Sequence, residues 1–158
     1  MQRGTALRVP IYLVVTHGER LEGFPGLVAA LDANGRREML GWTVPYGLDQ
    51  LFRPEWIDEA VARLVTGLGS LQLQAFAVGD PPDPEALVLL PQALGSVTDR
   101  LRTLAAAMLR PSAYHEAFLF RGIYVAGRDA AGAPVFLQRL LTDLVFREYR
   151  LPGRRAAW

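Results

Sequence analysis

The chain has 158 residues, of which 51% are hydrophobic and 21% charged, so its length and composition predict one folded globular domain and exclude an intrinsically disordered chain. Its 17 basic and 16 acidic residues leave a net charge of +1, which gives no field that would attract nucleic acid or anionic lipid. The sequence contains no cysteine, which excludes disulfides, thiolate zinc sites and thiol nucleophiles and is compatible with an intracellular protein.

Lysine is missing from the sequence, since all 17 basic residues are arginine. A Walker-type phosphate-binding loop uses a lysine to reach the β and γ phosphates of a nucleotide, and Schiff-base enzymes use one as a nucleophile. The composition therefore excludes both mechanisms within this chain.

Neither a membrane span nor a signal peptide is expected. The longest uninterrupted apolar stretches, such as residues 86–90 and 104–109, fall far short of the roughly 20 residues that a span needs. Residues 1–10 lack the apolar segment of a signal peptide. We therefore expect no direct insertion into a membrane.

The first predicted unit, residues 8–46, consists of a strand, a loop and a helix. The run VPIYLVV at residues 9–15 is apolar on both faces and predicts a buried strand of a parallel sheet. The loop at residues 16–19 follows directly and leads into a short helix over 27–31. A second strand is predicted over 39–44, although glycine and proline are unfavourable in strands.

The second predicted unit, residues 54–112, is a helical insertion. A proline and a glutamate favour the start of a helix at Pro54, and apolar residues then form one stripe. After a proline-rich break, apolar residues recur at intervals of three and four and predict a single long amphipathic helix. The first stripe comprises Ile57, Val61, Leu64, Val65 and Leu68, and the second comprises Leu87, Leu90, Leu94, Val97, Leu101, Leu104 and Met108.

The last predicted unit, residues 117–147, repeats the order of strand, loop and helix. The run FLFRGIYV at residues 118–125 predicts a strand, and a glycine-rich turn separates it from a helix over 134–146. Residues 153–158 are predicted to form a loose tail, so the single domain spans residues 1–152.

Arg121 lies in the middle of this last apolar strand. A guanidinium inside an apolar run must find a carboxylate or carbonyl partner, because an unpaired buried charge is strongly destabilising. We expect a structural ion pair, and the alternative is a contact at an interface.

Three segments together resemble the signatures of the IcmF family. Val9–Thr16 followed by Gly23-Phe24 resembles the family's pattern of a strand, a threonine and an aspartate-bearing loop, and then a Gly-Phe helix start. Gly41–Tyr46 resembles the next signature, and Phe120–Gly127 is similar to the family's Arg-Gly-aromatic-Tyr strand. The order and approximate spacing of these segments hold over residues 8–150.

The resemblance implies an α/β fold, with a partial P-loop-GTPase-like parallel sheet and a large helical insertion, mostly α-helical by residue count. It also implies a cytoplasmic domain of the inner-membrane subunit of type VI secretion. The chain is expected to correspond to the second half of that domain, because its first strand resembles one that follows the family's phosphate-binding loop. Its expected location is the cytoplasm, at the inner face of the bacterial inner membrane through partners.

The resemblance also points to two degenerate base-recognition loops. In GTPase-like domains a Thr/Asn-Lys-x-Asp loop holds the guanine, and the matching residues here begin at Thr16, with His17 in place of lysine and Glu19, one methylene longer, in place of aspartate. Ala126 and Gly127 match the second loop, which offers backbone N–H groups. The alternative is that Thr16 and Glu19 only close a turn, that His17 is exposed, and that the small residues form an ordinary turn.

No catalytic or metal-binding residue is predicted. The serines do not lie in Gly-x-Ser-x-Gly contexts, and the two histidines, His17 and His115, are too far apart in sequence to indicate a ligand set. We therefore do not expect an enzyme.

Two functions from different classes remain. The chain is either a non-catalytic scaffold that docks against the other half of the domain or against other secretion-complex subunits, or half of a split nucleotide-binding domain. GTP or ATP would bind only if a partner supplied the phosphate-binding loop. A remnant with no independent role is a third possibility. A sheet edge left uncovered by the half-domain predicts self-association.

Overall fold

The structure, a computed structural model, describes residues 10–47, 50–110 and 118–148. Within these ranges 57% of the residues are helical and the strands form two small sheets, which confirms the α/β class with mostly helical content. The tail at 153–158 and His115 lie outside the described residues. The domain limits 1–152 stay a prediction.

The elements alternate between short strands and helices of very different length. In the described ranges the strands are β1 (Pro10–Val15), β2 (Leu40–Thr43), β3 (Leu119–Val125), β4 (Gly127–Arg128) and β5 (Pro134–Val135). The helices are α1 (Phe24–Ala30), α2 (Ala33–Arg37), α3 (Glu55–Val78), α4 (Pro84–Gly95), α5 (Thr98–Leu109) and α6 (Phe146–Glu148). A 3-10 turn, Gly18–Arg20, precedes α1, and a π-helix, Leu140–Val145, leads into α6.

The central sheet has the strand order β1-β3-β2. β1 is parallel to β3, as the predicted parallel sheet requires, whereas β2 is antiparallel to β3, so the sheet as a whole is mixed. A Cβ atom on Gly41 would lie 2.1 Å from Cδ1 of Tyr124 on the neighbouring strand. The glycine that weakens the strand by propensity is therefore what lets β2 approach β3.

The start of the first helix differs from the prediction. α1 begins at Phe24 rather than at residue 27, with Pro25 in its first turn, where proline is well tolerated. A separate helix, α2, follows where the sequence predicts the chain to leave the helix. Asp32 makes this possible, because its Oδ1 accepts a hydrogen bond from the Gly35 N–H at 2.7 Å and caps α2.

The single long helix predicted over residues 87–108 is wrong. The chain forms α4 and α5, separated at Ser96 and Val97, where the Ser96 hydroxyl donates to the Ala93 carbonyl at 2.7 Å. The break turns α5 so that Ala105 and Leu109 are buried against the core. Leu104 and Met108, on the predicted stripe, are 50% exposed instead.

One buried cluster draws residues from all three predicted units and lies between the sheet and the helices. Aromatic rings fill the region between β3 and α3. Phe120 stacks on Trp56 with ring centroids 6.4 Å apart, and Phe52 meets Phe120 edge-on at 5.2 Å. Such pairs stabilise a core beyond their buried area.

α3 is long and apolar enough, by length and composition alone, to cross a membrane, and 22% of the window that passes is buried. This differs from the sequence expectation, which considered only uninterrupted apolar stretches. A helix in the core of a soluble protein passes the same test, so the finding is weak evidence for a span. Ile57, Leu64 and Leu68 of this helix are buried in the cluster.

The last unit also departs from its prediction. Pro134 and Val135 form β5, paired antiparallel with β4, in place of the first turn of the helix predicted over 134–146. Phe136 then adopts a left-handed backbone (φ 62°), and its N–H donates to the Arg36 carbonyl at 2.8 Å. Because of this long-range hydrogen bond the helix begins only after Phe136, and most of it is π-helical.

Candidate functional site

The structure brings together the two loops that the resemblance indicates. They follow the carboxyl ends of the parallel strands β1 and β3, and ligands of open α/β sheets usually bind at this end of the strands. The Gly18 N–H donates to the Ala126 carbonyl at 3.0 Å, and the Ala126 N–H donates to the Val15 carbonyl at 2.9 Å. Backbone hydrogen bonds therefore connect the two loops directly.

Glu19 connects the loops through its side chain. Its Oε2 accepts a hydrogen bond from the Arg128 N–H at 3.1 Å, and its Oε1 lies 3.0 Å from Nδ1 of His17. Hydrogen bonds from its own N–H, from His17 and from Arg128 hold the pKa of the Glu19 carboxyl below its ordinary value. The carboxylate faces the neighbouring loop, and this geometry is that of a closed turn.

Thr16 and His17 are exposed at the top of this turn. His17 has a left-handed backbone (φ 60°, ψ 38°), a conformation that histidine, asparagine and aspartate adopt more often than other residues with a side chain. The turn therefore presents the imidazole to solvent while Glu19 points back toward β4. Base recognition by these residues stays a prediction.

A phenyl ring fills the space between the loops. A Cβ atom on Gly18 would lie 2.7 Å from Cε2 of Phe24, and one on Gly127 would lie 2.7 Å from Cε1 of the same ring. Phe24 is buried and meets Phe136 edge-on, with ring centroids 5.7 Å apart. Both glycines are needed for the close approach of this ring. The position of the ring between the loops was not predicted from the sequence. The Gly-Phe pair in the family resemblance was the available signal.

Gly23, which precedes this ring, fixes the start of α1. Its backbone is left-handed (φ 83°), and a Cβ atom there would lie 2.1 Å from the carbonyl oxygen of Ala86 in α4. Only glycine satisfies both conditions without displacing a helix. The Gly-Phe pair thus joins the loops, α1 and α4.

An open cavity of about 390 Å³ lies beside the loops, between α1 and the turn after β4. Its lining carries charges of both signs, from Glu19, Asp129, Arg36 and Arg128. The Nε atom of Arg36 donates to the carbonyls of Val28 and Leu31 at 3.0 and 3.1 Å, and an Nη atom of Arg36 lies 3.6 Å from Asp129. Arg36 thereby braces the end of α1 against the turn.

Arg121 forms the predicted ion pair. Its Nε and one Nη atom donate to the two carboxylate oxygens of Glu148 at 2.8 and 2.6 Å, and the Tyr12 hydroxyl donates to the same carboxylate. Burial raises the pKa of the Glu148 carboxyl, but the hydrogen bonds from Arg121 and Tyr12 and the charge of Arg121 outweigh it, so the pKa is lowered overall. Burial and the contact with Glu148 raise the pKa of the Tyr12 hydroxyl.

Among residues 10–47, 50–110 and 118–148, no group of three or more histidine and acidic side chains could hold a metal ion. Glu19 and Asp129 line the same cavity, and their carboxylate oxygens accept hydrogen bonds from backbone N–H groups of the β4–β5 region. The geometry of the described site therefore derives from hydrogen bonds within the chain.

A family model described as the IcmF-related N-terminal domain matches residues 1–135. The match includes both candidate loops, the Gly-Phe pair and the strand that carries Arg121. No curated protein and no solved structure matches the chain. Because the matched region is most of the sequence, the chain belongs to the IcmF-related family.

Proposed function

We propose that the chain is a non-catalytic scaffold module of a type VI secretion membrane complex, equivalent to the second half of the family's cytoplasmic GTPase-like domain. The module works in the cytoplasm, at the inner face of the bacterial inner membrane, and is held there by other secretion subunits rather than by insertion. The free edge of β1 is the observation that carries the proposal.

In the part of the chain that the structure describes, β1 pairs with β3 alone. All six of its residues, PIYLVV, are uncharged, and Val14 is 37% exposed. Edge strands are usually short, charged or covered, because an unpaired apolar edge recruits other strands. A strand that is apolar on both faces and lacks charge suits the interior of a larger sheet.

The occupant that we assign to this edge is the phosphate-loop half of the same family domain, whether it lies in the same polypeptide or in another. Two observations support this choice. β1 and β3 run parallel, as in sheets built by successive strand-helix units. The residues that match the family model also include both strands and the loops at their ends.

Changing Val14 to lysine tests the assigned edge. The substitution puts a charge on an exposed strand position, so the chain should stay folded while its affinity for a purified phosphate-loop half of an IcmF-family protein falls about ten-fold or more. Calorimetric titration measures the affinity, and hydrogen exchange of the β1 amides locates the contact.

Val88→Lys is the matched control, because Val88 is exposed on α4, a helix that packs mainly on α1 and α3. It should bind like the unchanged chain. Equal binding by Val14→Lys, or protection of amides outside β1 only, would contradict the assignment. Sedimentation of the chain alone tests whether a second copy of the chain occupies the edge instead. If the chain forms a dimer and Val14→Lys dissociates it, the edge serves self-association.

A split nucleotide-binding domain is the second candidate, favoured by the meeting of the two loops at the ends of β1 and β3. The positions of Glu19 and Phe24 argue against it, since the carboxylate is engaged and the ring occupies the space between the loops. We expect no binding heat when the chain is titrated with GTP or ATP, alone or with the phosphate-loop half. Heat seen only with that partner, and abolished by Glu19→Gln, would establish the second candidate instead.

A further inference from the structure

We infer that the last described helical segment, Leu140–Glu148, is a detachable strap that the Glu148 carboxylate fastens to the sheet. This segment, the strap, comprises the π-helix and α6. The inference rests on the contacts of Glu148 and on the packing of the strap, and it does not depend on the proposed function.

The fastening consists of three donors on one carboxylate. Arg121 contributes two hydrogen bonds in a fork and Tyr12 contributes the third, so both oxygens of Glu148 are used. The side chains of Arg121 and Glu148 are 11% and 13% exposed, which makes this pair the best shielded of the ion pairs in the described residues. Charge-assisted bidentate pairs of this kind are strong and directional.

A β-bulge accounts for the position of Arg121. Ile11 pairs with Phe120, but the next residue, Tyr12, pairs with Gly122, so Arg121 has no partner on β1. Bulges leave one residue out of the ladder and redirect its side chain. Here the displaced residue is the arginine that holds the strap, and Tyr12 lies at the same irregularity.

The remaining attachment of the strap is thin. Leu140 is fully buried at one end, whereas Phe146 is 61% exposed at the other. α6 continues directly from the π-helix, and neither makes an extensive contact with another described element. π-helical turns are rare and concentrate at functional positions. One fully buried residue, two half-buried ones (Leu144 and Val145) and the Glu148 contacts hold the segment, and its local opening should need less free energy than global unfolding.

Release of the strap would uncover Arg121 and Tyr12 on the sheet face beside the free edge of β1. In the open state both groups lose the acceptor that they share and bind water in its place, so opening costs the net free energy of these hydrogen bonds unless a partner supplies another acceptor. The strap is thus a two-state element whose balance depends on one carboxylate.

Hydrogen exchange of the full chain tests the strap. Glu148→Gln keeps the shape of the side chain but removes its charge, and the amides of residues 140–148 should exchange about ten-fold faster or more. The amides of β3 and α3 should keep their rates.

Glu38→Gln is the control, because Glu38 pairs with Arg139 beside the strap in an exposed ion pair. It should leave the exchange rates unchanged. Faster exchange across β3 and α3 as well as the strap, or global unfolding of Glu148→Gln, would make Glu148 a support of the whole core and overturn the inference. Unchanged exchange in Glu148→Gln would equally overturn it.

Discussion

Gly23→Ala should lower the free energy of unfolding by about 2–5 kcal/mol. The left-handed backbone at this residue (φ 83°) costs an alanine about 1–2 kcal/mol. Its Cβ atom would meet the carbonyl oxygen of Ala86 at 2.1 Å and the Cα atom of Leu87 at 3.0 Å. These are backbone atoms of α4, so the clash separates two helices, and overpacking adds about 1–3 kcal/mol.

Urea or thermal unfolding measures the effect, which corresponds to a fall in Tm of about 4–20 °C for a domain of this size. Gly67→Ala is the matched control. A Cβ atom on Gly67, in the middle of α3, meets nothing within 4 Å, so alanine should stabilise the helix by about 0.5–1 kcal/mol. If Gly23→Ala left stability unchanged or raised it, the contact between α1 and α4 would not be the one described.

Phe24→Ala should destabilise the chain by about 3–5 kcal/mol, the usual cost of removing a buried phenyl ring. The ring is 1% exposed and lies between Gly18 and Gly127, whose lack of side chains fits its shape. Its removal leaves a cavity between the two loops and takes away the edge-on contact with Phe136. Equilibrium unfolding in urea measures the loss.

Phe146→Ala provides the comparison for the same chemical change, because Phe146 is 61% exposed in the strap. Its effect should stay within about 0.5 kcal/mol. A loss of less than about 1 kcal/mol in Phe24→Ala would mean that the loops are held by their hydrogen bonds and not by the ring.

The elements that the sequence predicts well are those with local signals. The apolar runs at β1 and β3 and the proline at the start of α3 identify these elements within one or two residues. Arg121 is a similar case, since the free energy of an unpaired buried charge demands a partner. The identity of that partner, Glu148, could not be predicted, because it depends on how a distant helix packs on the sheet.

The elements that it predicts badly are those decided by tertiary contacts. The spacing of apolar residues is the same on both sides of Ser96, so periodicity alone indicates one helix where packing produces two. Phe136 ends β5 through a hydrogen bond to Arg36, a residue 100 positions earlier. The direction of β2 likewise depends on its fit against Tyr124 and not on its own composition.

The sequence predicts where the two loops of the candidate site lie, but not which side chain fills the space between them. Family resemblance located both loops, at Thr16–Glu19 and Ala126-Gly127, and the structure brings them into contact. The occupant of the space between them, Phe24, was not predicted, because its side chain reaches that space only through the left-handed turn at Gly23.

The position of the Phe24 ring bears on how such a module could signal. Nucleotide switches change shape because the group that orders their loops is a ligand, which is hydrolysed or leaves. The Phe24 ring belongs to the chain, so the support that it gives the two loops does not depend on a ligand. The surface that these two loops offer to a neighbouring subunit is therefore set by the fold of the chain itself.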